Sequence, residues 1–489
     1  MRSRFGYVAT GFICASTFAS VTSSAHAAEV NVTKDPNHRY GEVQIAVNPK
    51  NPNNIVYANV QLGQTSACEA AKNPDCENIP TKSAGAGGIS MSQPRGFFTR
   101  KDFSGVGLFY SFDRGKTWRR TTVPLPPKDF PRLTGWGDPS VAITPDGTFY
   151  LTFDNMDWGT PEDALPAGGI GVSKSTDGGR TWSRPVLTGT PLDGPKTVAD
   201  PNTGTIYGAS SSVLGPLATG DPKTPHGKVR TRWLVSSKDG LTWTKPQAIG
   251  GSAFTTAAHG VLAAVFKTGP ANLFNDANNE LCGSAPAPCV IFQTTRDSGA
   301  TWSRHVVPVP SSAGGTMVAA DPSKPGHFAV AAAMNGNTQF DVYETRDSGQ
   351  TWSKPVTVTD DGTKRKSYPW LNYSPTGVLG LMWRSIQPGT APAASAPPPP
   401  PGAMAFGNQQ PMPYNVWAAI SRDGGTNFSE PLKVSGGNSP AGVPGASGDD
   451  YSHIVLDRDH AYVAWPDWRP GERQGYFHAI PFTAFKPKR

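Results

Sequence analysis

Short runs of alternating apolar and polar residues recur along the chain, each bounded by turn-forming residues. Gly107–Tyr110 and Arg119–Val123 are two such runs, and they flank the segment Ser111-Phe-Asp-Arg-Gly-Lys-Thr-Trp118. Alternation with a period of two residues is typical of β-strands with one buried face. The pattern therefore predicts a β-hairpin whose turn is the segment from Ser111 to Trp118.

The same turn segment recurs with the pattern S/T-x-D-x-G-x-T-W. Its copies start at residues 111, 175, 237, 295, 345 and 421; the third is one residue short and the sixth ends in Asn427-Phe428. The Asp carboxylate is expected to accept hydrogen bonds from turn N–H groups, and the Gly to supply a positive φ. We therefore expect a structural role for six aspartates, namely Asp113, Asp177, Asp239, Asp297, Asp347 and Asp423.

This repeat resembles the Asp-box, or BNR repeat, of sialidases and related β-propellers. The resemblance implies an all-β propeller with four strands in each blade. A mean spacing of about 62 residues between copies favours seven blades, with six blades as the alternative. After the sixth copy only three further strands are predicted, so Glu29–Thr33 is expected to supply the fourth and close the ring.

The composition agrees with a turn-rich β-protein. Gly contributes 54 and Pro 48 of the 489 residues, and charged residues only 17%. Gly and Pro disfavour long helices, which argues against helical bundles and doubly wound sheets. The 13 Trp, 13 Tyr and 22 Phe argue against disorder, because disordered chains are poor in aromatic residues.

The N-terminus carries the pattern of a signal peptide at residues 1–27. Arg2 and Arg4 precede a mostly apolar stretch, and Ala25-His-Ala27 is a cleavage signal of the A-x-A type. The expected mature chain, residues 28–489, is then one exported propeller domain, periplasmic or extracellular. No later stretch is long enough to span a membrane. A formal net charge of +7 without long Lys/Arg runs gives no sign of nucleic-acid binding.

Four cysteines remain after removal of the signal. An even number in an exported protein suggests disulfides, and the natural pairs are local, Cys68–Cys76 and Cys282–Cys289. Neither pair has zinc-site spacing. No cofactor is expected, although a structural calcium ion stays open, and we expect a monomer.

In propellers of this type, the Asp-box turn joins the third and fourth strands on one face. The connections between the second and third strands lie on the other face. Here these connections are unusually long, and they include both cysteine pairs and an Ala/Pro/Gly-rich insertion at residues 385–412. Long loops on a rigid scaffold commonly carry binding or catalysis, so we expect the functional site on the loop face.

Residues that precede each predicted inner strand are expected to face the central axis on the loop face. They include acids, Tyr and Arg, which can bind a sugar acid or perform acid–base chemistry. The candidate catalytic residues are Glu42, Asp138, Asp450, Tyr451 and His453. The candidate substrate-binding residues are Arg39, Tyr40, His259, Tyr368, Arg384, Asp467 and Arg469. Lys196 belongs to the same ring without an assigned role.

Several candidates have a structural alternative. Asp138 lies in Gly-Asp-Pro-Ser and could cap a turn, and His259 could be a buried core histidine. Asp450, beside Asp449, could form a turn pair or a weak cation site. Asp467 and Arg469 could form a local ion pair.

The resemblance to sialidases also has a limit. Sialidases carry an early Arg-Ile-Pro motif whose Arg grips the substrate carboxylate, and this sequence contains no Arg-Ile-Pro. Arg39, Arg384 and Arg469 could imitate an arginine cluster, and Glu42 with Tyr451 or Tyr368 could imitate the nucleophile pair. The sequence therefore favours a different activity from exo-sialidase.

Three hypotheses follow from the sequence. The first is an exported glycoside hydrolase or polysaccharide lyase. The second is a non-catalytic propeller that recognises a glycan or a protein on its loop face. The third is a structural or assembly factor of the cell envelope. Groups with acid–base chemistry converging at the axis would favour the first, and a ring of aromatic and neutral groups the second.

Overall fold

The computed structural model describes most of the chain between residues 29 and 488. The described ranges are 29–35, 38–63, 76–77, 98–99, 106–124, 138–155, 169–189, 196–212, 231–249, 255–269, 275–276, 279–387, 412–440 and 451–488. The predicted signal peptide, Cys68, Asp450 and residues 388–411 of the predicted insertion lie outside them.

These residues form seven blades, each a four-stranded antiparallel path that starts at the axis. Blade 1 consists of His38–Val47, Ile55–Gly63, Val106–Ser111 and Arg119–Thr121, and blade 2 of Ser140–Ile143, Phe149–Asn155, Gly169–Ser175 and Val186–Leu187. Blade 3 consists of Lys196–Ala199, Ile206–Ser212, Thr231–Ser237 and Gln247–Ile249, and blade 4 of Thr255–Ala258, Val261–Thr268, Val290–Thr295 and Ser303–Val307. Blade 5 consists of Thr316–Ala320, Phe328–Met334, Gln339–Thr345 and Val356–Val358, and blade 6 of Lys366–Tyr373, Leu379–Ile386, Tyr414–Ser421 and Leu432–Lys433. Blade 7 consists of His453–Leu456, His460–Asp467, Gln474–Pro481 and the N-terminal strand Val30–Asn31. The prediction of an all-β propeller with seven blades is confirmed.

A few short elements decorate this ring. Asn275–Asp276 pairs in parallel with the second strand of blade 4, and Cys76–Glu77 pairs with Phe98–Thr99. Asn279–Cys282 and Phe482–Ala484 are single 3₁₀ turns. No helix in the described part of the chain is long and apolar enough to cross a membrane.

The N-terminal strand closes the ring, as predicted. Val30–Asn31 is the outermost strand of blade 7 and pairs with Gln474–Pro481, with Val30 opposite Phe477. The Thr33 hydroxyl adds a hydrogen bond of 2.6 Å to the Gln474 side chain. The two ends of the chain are thereby held in one sheet.

Apolar side chains on both faces of each sheet pack against the neighbouring blades. Phe292 of blade 4 and Phe328 of blade 5 are both buried and meet edge-to-face, with ring centroids 5.2 Å apart. Trp383 of blade 6 is buried among side chains of blade 5. Because the inner strands of consecutive blades contact each other around the axis, the ring has a continuous wall.

The Asp-box aspartates fasten the turn between the third and fourth strands. Asp347 accepts hydrogen bonds from the Thr351 hydroxyl at 2.5 Å, from the Thr351 amide at 2.9 Å and from the Thr345 hydroxyl at 2.8 Å. These bonds lower the pKa of Asp347 to about 2, with Thr351 the main cause. The other five Asp-box aspartates accept comparable hydrogen bonds from the Thr or Asn near the end of their own box. They are Asp113, Asp177, Asp239, Asp297 and Asp423.

The Asp-box tryptophans pack their own blade against the one before it. Trp352 of blade 5 meets Phe292 of blade 4 at 5.3 Å, and Trp118 of blade 1 meets Phe477 of blade 7 at 5.1 Å, both edge-to-face. The repeated turn thus fixes the fold of its own blade and the packing of its neighbour.

The predicted Cys282–Cys289 disulfide is present, with an S–S distance of 2.08 Å and a Cα–Cα distance of 5.8 Å. It closes part of the loop between the second and third strands of blade 4, and both cysteines are buried beside Phe266 and Ile291. The Cys68–Cys76 pair stays a prediction, because Cys68 lies outside the described residues.

Candidate functional site

The inner strands begin on the loop face, and we call the loop-face end of these strands the channel mouth. Three residues there adopt a left-handed backbone: Glu42 with φ 49°, Asp138 with φ 46° and Tyr368 with φ 50°. Glu42 and Tyr368 lie at register shifts in the inner strands of blades 1 and 6. Left-handed non-glycine residues and bulges redirect side chains at an energetic cost and are frequent at functional sites. The backbone therefore marks the channel mouth as the candidate site.

Lys196 and Tyr451 meet at the channel mouth from blades that are not neighbours in the ring. Lys196 starts the inner strand of blade 3, and Tyr451 comes just before that of blade 7. The Lys196 ammonium lies 3.7 Å from the centroid of the Tyr451 ring, and Lys196 is 5% exposed. The two side chains therefore span the axis and form a cation–π pair.

Glu42 and Asp138 meet at the loop-face end of the inner strands of blades 1 and 2. The Glu42 carboxylate accepts a hydrogen bond of 3.1 Å from the Asp138 backbone N–H, which links blade 1 to blade 2. Glu42 is buried, whereas Asp138 is partly exposed. The structure thus joins the Glu42 carboxylate to the Asp138 backbone between blades 1 and 2, and the Lys196 ammonium to the Tyr451 ring between blades 3 and 7.

His453 is buried next to this group, and its ring is fixed. Its Nδ1 accepts a hydrogen bond of 3.0 Å from the Ile45 N–H, and the Trp370 ring lies edge-on with centroids 4.5 Å apart. Burial, opposed by the Ile45 bond, lowers the pKa of His453 to about 3, and the nearby Lys196 charge adds to the lowering. The imidazole is therefore neutral at pH 7 with its proton on Nε2. It can donate a hydrogen bond there, but Nδ1 is occupied and cannot serve as a base.

Arg384 holds the segment that carries Tyr451. Its Nε donates to the Ser452 hydroxyl at 2.8 Å and its Nη2 to the Tyr451 carbonyl at 3.0 Å. The guanidinium lies 4.5 Å from the Tyr368 ring and 4.7 Å from the Tyr414 ring, and Arg384 is 2% exposed. The arginine is therefore placed to position Tyr451, while Tyr368 presents an exposed aromatic ring.

Arg39 and Tyr40 point away from the group at the axis. The Arg39 side chain pairs with Glu472 at 2.7 Å. Tyr40 is fully buried in the core between blades 1 and 7, and its hydroxyl donates to Asp35 at 2.7 Å. The sequence placed both at the axis because they precede an inner strand, but that strand starts at His38 and includes them.

Asp467 and Arg469 form the local ion pair that the sequence left open. Asp467 accepts from the Arg469 side chain at 2.8 and 2.9 Å, and Arg469 also donates to Glu29 at 3.0 Å. Glu29 directly precedes the closing strand. These charges fasten the segment before the closing strand to blade 7.

The prediction that His259 lies at the axis on the loop face is wrong. His259 and Gly260 form the tight turn between the first and second strands of blade 4, at the Asp-box end of the inner strand. The His259 N–H donates to Asn202 at 3.1 Å, in the corresponding turn of blade 3. The error arose because the inner strand precedes His259 instead of following it.

Asp457, Asp459 and His460 are close enough to suggest a metal site, with ligand atoms within 4.8 Å of one another. Arg114 reaches into the same group, with Nη1 2.7 Å from His460 Nδ1 and 3.6 Å from Asp459. A guanidinium at this position supplies the positive charge that a metal would supply. The group is therefore an ion-pair cluster on the Asp-box face.

Sequence reasoning placed Lys196 in the ring but gave it no role. Ser452 and Tyr414, which hold and flank Arg384, were not anticipated. A lysine at the start of an inner strand was the available signal for Lys196. Nothing local marks Ser452 or Tyr414, because their partners come from distant parts of the chain. Asp450 lies outside the described residues.

Comparisons with known proteins agree with this architecture. Residues 109–120, the first Asp-box, match the BNR/Asp-box repeat family. A sialidase of Micromonospora viridifaciens is 33% identical over 122 residues, which cover 22% of this chain and 18% of that protein. The match therefore spans much less than two thirds of the relative's length.

Two of the solved structures that resemble this chain align over most of it. The Hadza microbial sialidase Hz136 is 18% identical with a TM-score of 0.41, over 78% of this chain and 74% of that one. A protein of unknown function from Dyadobacter fermentans is 12% identical with a TM-score of 0.46, over 93% and 98%. The six Asp-boxes, one of which matches the repeat family, and the closed ring of seven blades show that the chain is a β-propeller with BNR/Asp-box repeats.

Proposed function

We propose that the protein is an exported, glycan-degrading propeller that binds a sugar chain at the channel mouth and cleaves a glycosidic linkage there. The observation that carries this proposal is the Lys196–Tyr451 contact of 3.7 Å across the axis, at the same end of the inner strands as the Glu42–Asp138 hydrogen bond. Convergent ionisable groups at the mouth of a rigid scaffold are typical of catalytic sites. The relationship to a sialidase supports a glycan as the ligand.

The available groups suit two kinds of cleavage. Carboxyl groups such as Glu42 and Asp138 can act as acid and base in hydrolysis, which consumes water and leaves a reducing end. Tyr451, as its phenolate, can take a ring proton in an elimination in which the bond from the ring to the glycosidic oxygen breaks, the leaving oxygen takes up a proton, and a carbon–carbon double bond forms in the product. The exposed Tyr368 ring can stack on a sugar face. His453 contributes only as a neutral donor.

Exo-sialidase activity is not part of the proposal. The sequence lacks Arg-Ile-Pro, and the three arginines expected to replace an arginine cluster have separate partners. Arg39 pairs with Glu472, Arg384 binds Ser452 and the Tyr451 carbonyl, and Arg469 pairs with Asp467.

A panel of polysaccharides and glycosides tests the function, with the mature chain from Ala28. Reducing-end formation reports hydrolysis, and ultraviolet absorbance of the unsaturated product reports elimination. Glu42→Gln and Lys196→Met should each lower turnover by about 100-fold or more. Lys116→Met, an exposed lysine on the Asp-box face, is the matched control and should keep full activity. Full activity in both mouth variants would contradict the proposal.

A glycan-binding propeller without catalysis is the second candidate. It is favoured by the hydrogen bonds that occupy the Glu42 carboxylate and the His453 ring, since both groups serve the structure as well. This alternative predicts binding that Lys196→Met weakens, with no product from any substrate in the panel.

Export is supported by the signal pattern at residues 1–27 and by the buried Cys282–Cys289 disulfide, since disulfides persist in oxidising compartments. Cell fractionation of a strain expressing the full chain tests this part of the proposal. A processed protein outside the cytoplasm is expected.

A further inference from the structure

The tight turn between the second and third strands of blade 5 contains the single Asn-Gly dipeptide of the sequence, Asn335-Gly336. Both residues are exposed, and both adopt a left-handed backbone, with φ 51° and 66°. The Thr338 N–H closes the turn by donating to the Met334 carbonyl at 3.0 Å. The dipeptide therefore lies in solvent on the loop face, where the connections between second and third strands lie.

Two groups in this turn are free to react with each other, and asparagine is a thermolabile residue. Among the described residues, neither the Asn335 side-chain amide nor the Gly336 N–H makes a hydrogen bond. A Cβ atom built on Gly336 would meet no neighbouring atom within 4 Å, so the surroundings do not obstruct this peptide group. Glycine itself offers little steric resistance to a side chain that approaches its nitrogen. The Gly336 nitrogen can therefore reach the Asn335 Cγ atom once the Asn335 ψ angle rotates.

A second exposed asparagine, Asn438, has the opposite arrangement. It is followed by Ser439, which is 1% exposed and whose N–H donates to the Tyr414 carbonyl at 2.9 Å. The Ser439 hydroxyl also accepts a hydrogen bond of 3.1 Å from the Trp468 N–H. The nitrogen that would attack the Asn438 side chain is thus held in place, which makes Asn438 an internal control.

We propose that Asn335 is a site of spontaneous deamidation, a reaction that needs only water and does not depend on the proposed function. The Gly336 nitrogen loses its proton and attacks the Asn335 Cγ atom, so that a nitrogen–carbon bond forms. The Cγ–Nδ2 bond breaks, and the departing nitrogen takes up a proton and leaves as ammonia. Water then opens the succinimide ring at either of its carbonyl carbons, which yields aspartate or isoaspartate.

The modified turn is connected to the candidate site. The Lys366 N–H donates to the Asn337 carbonyl at 2.7 Å, which joins the turn to the first residue of the inner strand of blade 6. That strand carries the exposed Tyr368 two residues later. Deamidation adds a negative charge to the turn, and isoaspartate also lengthens its backbone. The change therefore acts on the connection to the strand of Tyr368.

Peptide mass spectrometry of the folded mature chain, incubated at mildly alkaline pH and physiological temperature, tests this proposal. The tryptic peptide 305–346 contains Asn335, and the peptide 434–458 contains Asn438. The first peptide should gain the mass of an amide-to-acid conversion and separate into two products, whereas the second should stay unchanged. In protein unfolded by urea both peptides should convert, because the Ser439 N–H is then released from Tyr414. Gly336→Ala should slow conversion of the first peptide by about 10-fold or more, since a Cβ atom obstructs the attacking nitrogen.

Asn335→Gln is the second variant, because ring closure through the longer glutamine side chain is slower and the position is exposed. It should remove most of the mass gain, and thermal melting should show that both variants are folded. If the first peptide keeps its mass in the folded protein and converts only after unfolding, the turn protects Asn335 and the proposal fails. Undiminished conversion in Asn335→Gln would assign the change to Asn337 and would also overturn it. Equal conversion of the two peptides in the folded chain would contradict the role given to the free Gly336 N–H.

Discussion

The two faces of the ring use left-handed backbone in different ways. In the Asp-boxes, residues such as Ser348 and Gly349 adopt positive φ at the same place in successive blades, and the neighbouring Asp347 carboxylate fastens the turn. At the channel mouth, Glu42, Asp138 and Tyr368 adopt positive φ at the equivalent position of blades 1, 2 and 6, and none of the three is a glycine.

This difference between the two faces indicates that left-handed residues on the Asp-box face stabilise the fold, whereas those at the channel mouth serve the ligand site. On the Asp-box face, left-handed residues are built into a repeated hydrogen-bonded turn that packs on the preceding blade. At the mouth, a charged and an aromatic side chain are kept where Gly or Asn would be less strained. We infer that the mouth retains these side chains for ligand contact and that the Asp-box face supplies the stability that permits the strain.

Replacing the Asp-box glycine of blade 5 should give the largest effect. Gly349 has φ +97°, and a Cβ atom there would lie 2.6 Å from the buried Phe292 ring of blade 4. Left-handed strain and overpacking should together lower the free energy of unfolding by about 3 kcal/mol in Gly349→Ala. Denaturant unfolding measures this loss.

Gly362→Ala is the control for the backbone contribution alone. Gly362 has φ +71°, but a Cβ atom added there would meet no neighbouring atom within 4 Å. The expected loss is about 1 kcal/mol, from left-handed strain without overpacking. Equal losses in the two variants would show that packing against the preceding blade contributes nothing at Gly349.

The same contrast explains what the sequence could predict. The hydrogen bonds of Asp347 reach residues two and four positions away, so a short pattern reveals them. The seven blades follow from the spacing of that pattern. Lys196 and Tyr451 come from blades 3 and 7, and their meeting depends on ring closure, which no local pattern encodes.

The sequence therefore predicted which residues surround the axis, but not which of them contact each other. His259 was misplaced because a two-residue turn was mistaken for the start of a strand. Asp467 and Arg469 were assigned both as ligand contacts and as an ion pair, since residue types alone do not separate the two. Their engagement with Glu29 requires the closing strand to be in place.

A buried charge network on the Asp-box face should give a smaller, pH-dependent effect. His327 Nδ1 lies 2.7 Å from Asp321 and its Nε2 lies 3.5 Å from Glu344, with Arg346 and Tyr373 facing the same group. The bonds to Asp321 and Glu344 outweigh burial and raise the pKa of His327. A raised pKa in the folded state stabilises the fold below pH about 6.5, and this contribution is lost as the pH rises through the folded value.

Thermal melting from pH 5.5 to 8.5 should therefore show stability declining toward the alkaline end. Asp321→Asn removes the first partner of His327 and should flatten this decline relative to the unmodified protein. An identical slope in both proteins would assign the pH dependence to other histidines. NMR titration of the His327 imidazole measures its pKa directly. A lower pKa of His327 in Asp321→Asn would show that the variant has lost the interaction with Asp321, and not merely stability in general.

The smallest change in stability is expected at the channel mouth, with Tyr368→Gly. Tyr368 is 37% exposed and has φ 50°, so glycine relieves left-handed strain of about 1 kcal/mol. Loss of the ring removes its contact of 4.5 Å with Arg384, worth about 1 kcal/mol or more, so the net change in unfolding free energy should be near zero. Glycan binding should nevertheless weaken, because the ring is the exposed aromatic surface of the mouth. If unfolding free energy falls as far as in Gly349→Ala, Tyr368 serves the fold, and the separation between the two faces does not hold at this position.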